Sequence, residues 1–514
     1  MKIFLVTMGI VGTGLFLLSP LFAQDVTLQY STYLGGAFNN DVGYDIDVDS
    51  TGCAYITGNT DSYDFPTVNP YQSSNGESTE TFVKDIFVTK FSSTGSVLLF
   101  STYLGGSDDD EGRGIAVDAG AAVYVTGFGW SENFPTVNPY QASLGSSSDP
   151  ASYYDAYVTK LSSTGSTLLY STYLGGVYAD YGNGIVVDQL GCAYIGGRTF
   201  ASEFPTVNPY QASHAGSWDS FVVKFSSTGS SLLYSTYMGG NDIDYANAIA
   251  IDSGGCAYVA GESESLSFPT VNPYQSTLTT GGSAAVVTKL GSTGSTLIYS
   301  TYLAGDGADY AYGIALDSEG SAYVTGQTQS TSGAILFPTT AFAFQTVSGG
   351  GQSDAFLTRF SPSGSTLLYS TYLGGDSTDV AYGVDVDQSL NAYIAGSTSS
   401  EDFPTANPYQ SLTGGDLEGF ITRFDSAGSA VLYSTYLGGA HSDSCRGMVL
   451  QSDAPGVAYV VGYTASSDFP TVNPYQDSLS VPAGSTVDAF VARLYYAGPA
   501  ITPTPQITAT PTPS

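Results

Sequence analysis

Seven aspartates recur at one equivalent position of a repeated segment, 64 to 70 residues apart, each five residues before an apolar residue at the centre of a predicted β-strand. They are Asp41, Asp110, Asp180, Asp244, Asp309, Asp379 and Asp443. Carboxylate oxygens suit Ca²⁺, so this column could form local cation sites in each repeat. The alternative is a turn cap that orders the entry to the strand. Recurrence in every repeat favours the cap, so we expect no cofactor. If the column does bind an ion, we expect that ion to be Ca²⁺.

A second set of residues varies where its neighbours repeat, two positions before the same apolar centre. Its members are Tyr44, Arg113, Asn183, Asn247, Tyr312, Tyr382 and Arg446. Such variation is typical of a ligand-binding rim, although a tolerant exposed position would give the same pattern. Trp130 and Trp218, the two tryptophans of the chain, are further candidates because tryptophan is common in binding hot spots.

Basic residues are concentrated in one repeat position near the end of a predicted strand. Seven of the 12 lysines and arginines occupy it: Lys90, Lys160, Lys224, Lys289, Arg359, Arg423 and Arg493. A ring of cations for an anionic ligand is one interpretation. An ion pair in each repeat, or packing of the aliphatic stems, is the interpretation we favour.

Catalytic residues are not apparent. The chain has two histidines, His214 and His441, without a motif around either. No nucleophile elbow or phosphate-binding loop is present. Acidic residues are abundant, so a glycosidase that uses two carboxylates stays open; we nevertheless expect a protein that is not an enzyme.

The charge balance limits the partners. Asp and Glu number 46 against 12 Lys and Arg, for a net charge of −34. Such a surface repels nucleic acids and anionic membranes. With 42% hydrophobic and 11% charged residues, the chain is globular and not disordered.

The repeated segment predicts four short antiparallel strands. The string Ser-Thr-Tyr-Leu/Met-Gly/Ala-Gly starts at Ser31, Ser101, Ser171, Ser235, Ser300, Ser370 and Ser434. Between copies, phrases such as "YGIALDSEGSAYVTG" and "DAFLTRFSPSGSTLLYSTYLGG" are typical of two hairpins. Seven such units predict an all-β fold, a single seven-bladed β-propeller. In the long loop between the hairpins, Asn-Pro-Tyr-Gln predicts one helical turn.

The order of the phrases predicts how the ring closes. The chain begins with the Ser-Thr-Tyr strand, which is the fourth strand of a unit, and ends with "DAFVARL", which is the third. The N-terminal strand should therefore complete the last blade, leaving no unpaired edge.

Both ends of the chain differ from the repeats. Lys2 and the apolar run to Phe22 predict a signal peptide over residues 1–23, with an uncleaved anchor as the alternative. The propeller is expected over residues 25–498. Residues 499–514 are rich in Thr and Pro, which predicts a disordered tail.

The phrases "STYLGG", "GIAVD", "AYVTG" and "FPTVNPYQ" resemble the bacterial seven-bladed β-propeller repeat family, SBBP, over essentially Thr27 to Leu494. This resemblance implies a propeller fold and a secreted or cell-surface bacterial protein. It implies no catalytic residue.

These observations together predict a secreted or cell-surface, non-catalytic propeller, a monomer that acts as a scaffold for an extracellular protein or glycan. The second hypothesis is a Ca²⁺-dependent carbohydrate-binding module, and the third is an extracellular hydrolase or lyase. No nucleic-acid partner and no membrane insertion of the mature domain are expected.

Overall fold

A computed structural model describes residues 26–37, 39–76, 83–145, 154–278, 282–331, 333–480, 484 and 486–498. The expected signal peptide and the expected tail lie outside these ranges. Within them the chain forms 28 β-strands and no α-helix. Accordingly, the described residues include no helix of the length and apolarity that a membrane crossing requires.

The strands form seven sheets of four, here called blades 1 to 7. Blade 1 has β2 (Asp41–Val48), β3 (Ala54–Thr60), β4 (Asp85–Phe91) and β5 (Leu98–Leu104). Blade 2 has β6 (Asp110–Val117), β7 (Val123–Gly129), β8 (Asp155–Leu161) and β9 (Leu168–Leu174). Blade 3 has β10 (Asp180–Val187), β11 (Ala193–Thr199), β12 (Asp219–Phe225) and β13 (Leu232–Met238). Blade 4 has β14 (Asp244–Ile251), β15 (Ala257–Ser263), β16 (Ala284–Leu290) and β17 (Leu297–Leu303).

The remaining blades follow the same order. Blade 5 has β18 (Asp309–Leu316), β19 (Ala322–Thr328), β20 (Asp354–Phe360) and β21 (Leu367–Leu373). Blade 6 has β22 (Asp379–Val386), β23 (Ala392–Thr398), β24 (Glu418–Phe424) and β25 (Val431–Leu437). Blade 7 has β26 (Asp443–Leu450), β27 (Val457–Thr464), β28 (Asp488–Tyr495) and β1 (Thr27–Leu34).

We call the four strands of each blade a to d, from the innermost outwards. All neighbours within a blade are antiparallel, and the seven a strands line a central channel. The entry face is the end of the ring where strand a begins and strand d ends; the hairpin face is the opposite end. The predicted seven-bladed propeller is confirmed.

The hydrophobic core lies between the blades, in seven clusters that each join two neighbours. One of them packs Ile46 and Phe87 of blade 1 against Tyr459 and Val491 of blade 7. The repeated Ser-Thr-Tyr tyrosines are part of this core and keep a bonded hydroxyl. Tyr103, for example, is fully buried, and its hydroxyl donates to the Ser62 carbonyl at 2.7 Å. The abundance of tyrosine is therefore largely a requirement of packing.

The ring is closed by the two ends of the chain, as the order of the phrases predicts. Strand β1 pairs with β28, and Ser31 and Tyr33 lie opposite Ala492 and Phe490. Strand d of blade 7 is thus supplied by the N-terminus. A blade with three strands would leave the edge of β28 unpaired.

The helical turn predicted at Asn-Pro-Tyr-Gln is wrong. The asparagine of each copy has φ between 43° and 48°, a left-handed conformation that asparagine tolerates and a helix N-cap does not adopt. The segment instead bridges the free edge of strand d: Val68 pairs with Ser101, and Gln72 with Tyr103. This loop covers the outer edge of the blade, which explains its recurrence.

The column of basic residues forms ion pairs on the hairpin face, as favoured above. In six blades the partner is the aspartate that opens the a–b hairpin. Lys90 lies 3.2 Å from Asp49, and Arg359 lies 2.6 Å from Asp317. Blade 7 has Gln451 at the aspartate position, and Arg493 donates a hydrogen bond to it at 3.3 Å. Each of these seven cationic side chains therefore has a bonding partner within its own blade.

Deletion of residues 25–36 should abolish cooperative unfolding, because it removes strand d of blade 7 and exposes β28. Thermal unfolding followed by circular dichroism measures this. A chain truncated after Gly498 is the matched control and should melt as the full chain does, since β28 ends at Tyr495. An equally sharp transition in the N-terminal deletion would contradict ring closure by β1.

Candidate functional site

The seven repeated aspartates begin strand a on the entry face, and each is 0% exposed. In every blade one carboxylate oxygen accepts the N–H of the second residue of the Gly-Gly pair, at 2.7 to 2.9 Å. In six blades it also accepts a serine hydroxyl, such as that of Ser131 on Asp110 at 2.7 Å. These are the contacts of a turn cap.

These aspartates do not line the channel. Among the described residues there is also no group of three or more His, Cys, Asp or Glu side chains arranged to hold a metal ion. Binding of Ca²⁺ to this column stays a prediction, and the experiment that tests it is given below with the proposed function.

A second buried carboxyl group faces the capping aspartate across the first glycine of the pair. A Cβ added to Gly374 would lie 2.3 Å from Oδ1 of Asp354 and 2.7 Å from Oδ2 of Asp379. Glycine is required there because the two carboxyl groups occupy the space of a side chain. The residues equivalent to Asp354 are Asp85, Asp155, Asp219, Glu418 and Asp488 in five other blades.

Blade 4 shows that this glycine and this carboxyl group depend on each other. Ala284 replaces the strand c aspartate, and Ala304 replaces the glycine. Both are buried in the same apolar cluster. Where the carboxyl group is missing, a methyl group takes its place, which is the exchange that the packing predicts.

Burial raises the pKa of these paired carboxyl groups, because the charged form loses solvation. The pKa of Asp85 rises to about 8, and Asp110 across the glycine adds to this effect. The pKa of Asp379 rises to about 7, and that of Asp354 to about 6. These groups therefore hold protons at pH values at which exposed carboxyl groups are ionised.

The variable residues predicted as a rim are the β-bulge residues of strand a. In each blade the a–b register shifts around this position, as between Gly43 and Asp45 on either side of Tyr44. The same shift occurs in the other six blades. A bulge re-aims the side chain of its extra residue, and here all seven side chains reach one mouth of the channel.

The seven rim residues line one pocket of 300 Å³, together with Phe128 and Arg198. All seven rim side chains are half-buried. We call this cavity the mouth pocket. Its lining, as far as the structure describes the chain, contains arginine, asparagine, tyrosine and phenylalanine, and no carboxyl group.

Phe128 and Arg198 were missed because they lie on strand b, opposite the second residue of strand a. That column varies as strongly as the rim, and the variation was the available signal. Its members are Asn59, Phe128, Arg198, Glu262, Gln327, Ser397 and Tyr463.

The arginines of the mouth pocket stack on aromatic rings. Arg446 lies 4.3 Å from the centroid of Tyr382, and Arg113 lies 4.2 Å from that of Tyr44. Arg198 lies between two tyrosines, 4.1 Å from Tyr181 and 4.3 Å from Tyr245. Such stacking holds a guanidinium plane in place.

Both tryptophans belong to the aromatic cluster beside Arg198. Trp218 lies 5.6 Å from Tyr181 and 5.7 Å from the Arg198 guanidinium. Trp130 lies 4.7 Å from Tyr154 and 5.7 Å from Phe128. No other blade carries a tryptophan, so this cluster is a local departure from the sevenfold pattern.

A cavity of 520 Å³ in the channel adjoins the mouth pocket: it is lined by the a strands, including all seven rim residues, and contains three aspartates. These carboxylates bond to the neighbouring blade. Asp45 accepts the N–H of Ile115 at 2.9 Å, Asp47 that of Val117 at 2.7 Å, and Asp385 that of Leu450 at 2.8 Å. The acidic groups of the channel thus link blades, whereas the cationic groups lie at the mouth.

Comparison with known families agrees with the fold. The sequence model of the β-propeller repeat SBBP matches residues 29–66, 169–205, 298–333 and 368–404. The chain carries SBBP repeats. The first matched segment runs from strand d through the Gly-Gly pair to the end of strand b, so it includes a capping aspartate and a rim residue. No curated protein matches this chain.

Solved structures similar to this chain are distant. A protein of unknown function from Dyadobacter fermentans DSM 18053 has 11% identity, covers 92% of this chain and 99% of its own, and gives a TM-score of 0.41. BamB from Moraxella catarrhalis has 8% identity, 92% and 100% coverage and a TM-score of 0.38. Quinohemoprotein alcohol dehydrogenase from Comamonas testosteroni has 10% identity, 94% and 78% coverage and a TM-score of 0.42. Similarity at this level carries no functional information.

Substitution Gly374→Ala should lower the free energy of unfolding by about 1–3 kcal/mol, because the methyl group overlaps two carboxyl groups. Adding Asp354→Ala should recover much of that loss, since the pair then reproduces Ala304 and Ala284 of blade 4. Urea denaturation of the two single variants and the double variant measures the coupling. Strictly additive losses would refute the proposed dependence.

Stability should fall as pH rises from about 5 to about 8.5. A carboxyl group whose folded pKa exceeds its unfolded value stabilises fully below the unfolded pKa, and this stabilisation is lost as pH rises through the folded pKa. The relevant folded values are about 6 to 8. Melting temperatures across this range test it. Asp354→Asn, a neutral isostere, should reduce the slope, and a melting temperature that rises toward pH 8.5 would be evidence against neutral buried pairs.

Proposed function

We propose that this SBBP chain is an exported bacterial protein that acts at the cell exterior as a non-catalytic binding scaffold, with the mouth pocket as its ligand site. One observation carries this proposal. Residues that recur in every blade cap turns, fill the core or form ion pairs, whereas the seven bulge residues, which differ between blades, meet in one cavity. A function that needs a particular ligand requires that asymmetry.

The composition of the mouth pocket supports binding. Its volume of 300 Å³ is at the small end of the range for ligand pockets, and aromatic walls with a few polar groups are typical of such sites. Tyr312 and Tyr382 form one wall, with ring centroids 5.5 Å apart. A ligand the size of a single sugar ring or a short side chain fits this volume.

The same lining argues for binding rather than for hydrolysis. Glycoside hydrolysis ordinarily needs two carboxyl groups that flank the scissile bond. Among the described residues that line the mouth pocket, none is Asp, Glu, His, Ser or Cys. The adjoining channel cavity, which the seven rim residues also line, contains Asp45, Asp47 and Asp385. The carboxylates of all three accept backbone N–H groups of a neighbouring blade, which supports a structural role for them.

The remaining features support an extracellular partner. The N-terminal segment has the features of a signal peptide, and the net charge of −34 disfavours nucleic acids and anionic membranes. We propose a glycan or a protein of the cell exterior as partner and a monomeric propeller as the active form.

A screen of the mature protein on immobilised glycans and extracellular proteins tests the proposal. The variant Tyr312→Ala/Tyr382→Ala should weaken binding at least tenfold, because it removes one wall of the pocket. Tyr409→Ala, an exposed tyrosine of an outer loop of blade 6 (41% exposed), is the matched control and should bind as the wild type does. A folded wall variant with full affinity would overturn the mouth pocket as the ligand site.

The Ca²⁺-dependent alternative needs its own measurement. Melting in EDTA and across a Ca²⁺ series, at constant ionic strength, should show no saturable shift if the repeated aspartates only cap turns. An ion at ~100 times its dissociation constant would stabilise the protein by roughly 2.7 kcal/mol per site. A saturable rise that Asp379→Asn weakens would establish the cation hypothesis instead.

A further inference from the structure

The cations outside the repeated column are concentrated at the mouth pocket. In the part of the chain that the structure describes, they are Lys84, Arg113, Arg198 and Arg446. All three arginines line the pocket. Lys84 lies outside it and pairs with Glu111 at 3.5 Å.

Two of these arginines have no carboxylate partner. Arg113 forms an ion pair with Glu111, but Arg198 and Arg446 form none with any described residue. The chain contains 46 acidic residues, so carboxylates are plentiful. In so acidic a chain, two half-buried arginines without an ion pair are the groups available to bind an anion that a ligand supplies.

Both arginines pack against aromatic rings. The Arg198 guanidinium lies over Tyr181 and Tyr245, and that of Arg446 lies over Tyr382, with the Tyr463 ring 5.3 Å away. The N–H groups of guanidinium point outwards in its plane, where a carboxylate can accept two of them at once. The pocket therefore provides donors suited to a planar carboxylate.

Two asparagines add hydrogen-bond acceptors to the same pocket. The amide nitrogen of Asn183 donates to the Ala246 carbonyl at 2.8 Å, and that of Asn247 donates to the Ala311 carbonyl at 3.0 Å. These bonds hold both side chains in place and use one of the two N–H groups of each amide. Each asparagine thus keeps its side-chain oxygen as an acceptor, which can take an O–H or N–H group of a ligand.

We infer that the mouth pocket binds a sugar that carries a carboxylate, a uronic acid unit, through Arg198, Arg446 and the two asparagines. This inference rests on the proposed function and names its ligand class. The carboxylate accepts from the guanidinium groups, the hydroxyl groups donate to the asparagine oxygens, and the sugar ring lies against the tyrosine wall.

Neither half of such a ligand satisfies the pocket alone. A neutral sugar leaves the two guanidinium groups without an anion, and a simple carboxylate such as acetate has no hydroxyl group for the asparagines. The carboxyl group whose pKa Arg198 lowers is that of Glu262, which does not line the pocket. Burial raises the pKa of Glu262 to about 7 although Arg198 lowers it, so its charge is incomplete near neutral pH.

The two tryptophans make the site observable without a label. Trp218 is next to Arg198, and Trp130 belongs to the same aromatic cluster. A ligand that engages Arg198 should change the environment of Trp218 and hence the intrinsic fluorescence.

Titration with four probes tests the inference: galacturonic acid oligomers, the matching neutral galactose oligomers, free galacturonate and acetate. We expect saturable fluorescence changes with the uronates, and at least tenfold weaker binding of the neutral oligomers and of acetate. Arg198→Gln and Arg446→Gln should each weaken uronate binding about tenfold or more. Lys160 pairs with Asp118 on the hairpin face, at 3.3 Å. Lys160→Gln removes the same charge there and should leave binding unchanged, since glutamine can still donate to Asp118.

Melting curves confirm that each variant is folded, and either arginine variant alone suffices if the other is unstable. Equal binding of uronate and neutral oligomers, equal binding of acetate, or uronate affinity that survives both arginine substitutions would overturn the inference. So would the absence of any uronate response. The proposed function fails separately, if no ligand of the wider screen depends on the Tyr312 and Tyr382 wall.

Discussion

The pairing of β1 with β28 is the contact on which the rest of the propeller depends. Each blade presents one face to each of its neighbours, and the core consists of the clusters between them, so every blade needs two partners. An open ring would leave the blade 7 to blade 1 cluster, with Ile46 and Tyr459, without the strand that completes it. The channel and its mouth exist only because seven innermost strands are held at equal spacing.

Most of the charged residues that recur from blade to blade stabilise the blades themselves. On the hairpin face, ion pairs such as Lys90 with Asp49 join strand c to the a–b turn of the same blade. On the entry face, a buried carboxyl group caps each strand a, and in six of the seven cases a second one faces it across glycine. These interactions use up most of the titratable groups that the sequence repeats. What is left for recognition is the set of bulge residues and their neighbours on strand b.

The β-bulge of strand a recurs in every blade, but the residue at the bulge differs from blade to blade. The same register shift recurs in all seven blades, so the backbone presents seven equivalent positions to the channel mouth. Tyrosine, arginine and asparagine at those positions make one side of the mouth unlike another. Arg198 extends the asymmetry onto strand b of blade 3, beside the tryptophans. A repeated scaffold thus carries a single chemically distinct pocket.

Much of this could be predicted from the sequence because the repeats show which residues occupy equivalent positions in the seven blades. The four strands per blade, the closing strand and the grouping of Tyr44 with Arg446 followed from equivalence between repeats. The conformation of Asn69 could not be predicted. The local sequence preference favours a helix cap, whereas pairing of the loop with strand d imposes a left-handed asparagine. Arg198 was missed since its partner on strand a lies across the sheet, a relation that only register reveals. The joint change to Ala284 and Ala304 was visible in the sequence, but its meaning required the distance between two carboxyl groups.

The most direct test of the account is a crystal structure of the mature protein soaked in a galacturonic acid oligomer at saturating concentration. The account predicts ligand density in the mouth pocket, with the carboxylate at the guanidinium edges of Arg198 and Arg446 and the hydroxyl groups at Asn183 and Asn247. An empty mouth pocket, or a ligand bound elsewhere on the ring, would contradict the claim that recognition is concentrated where the blades differ.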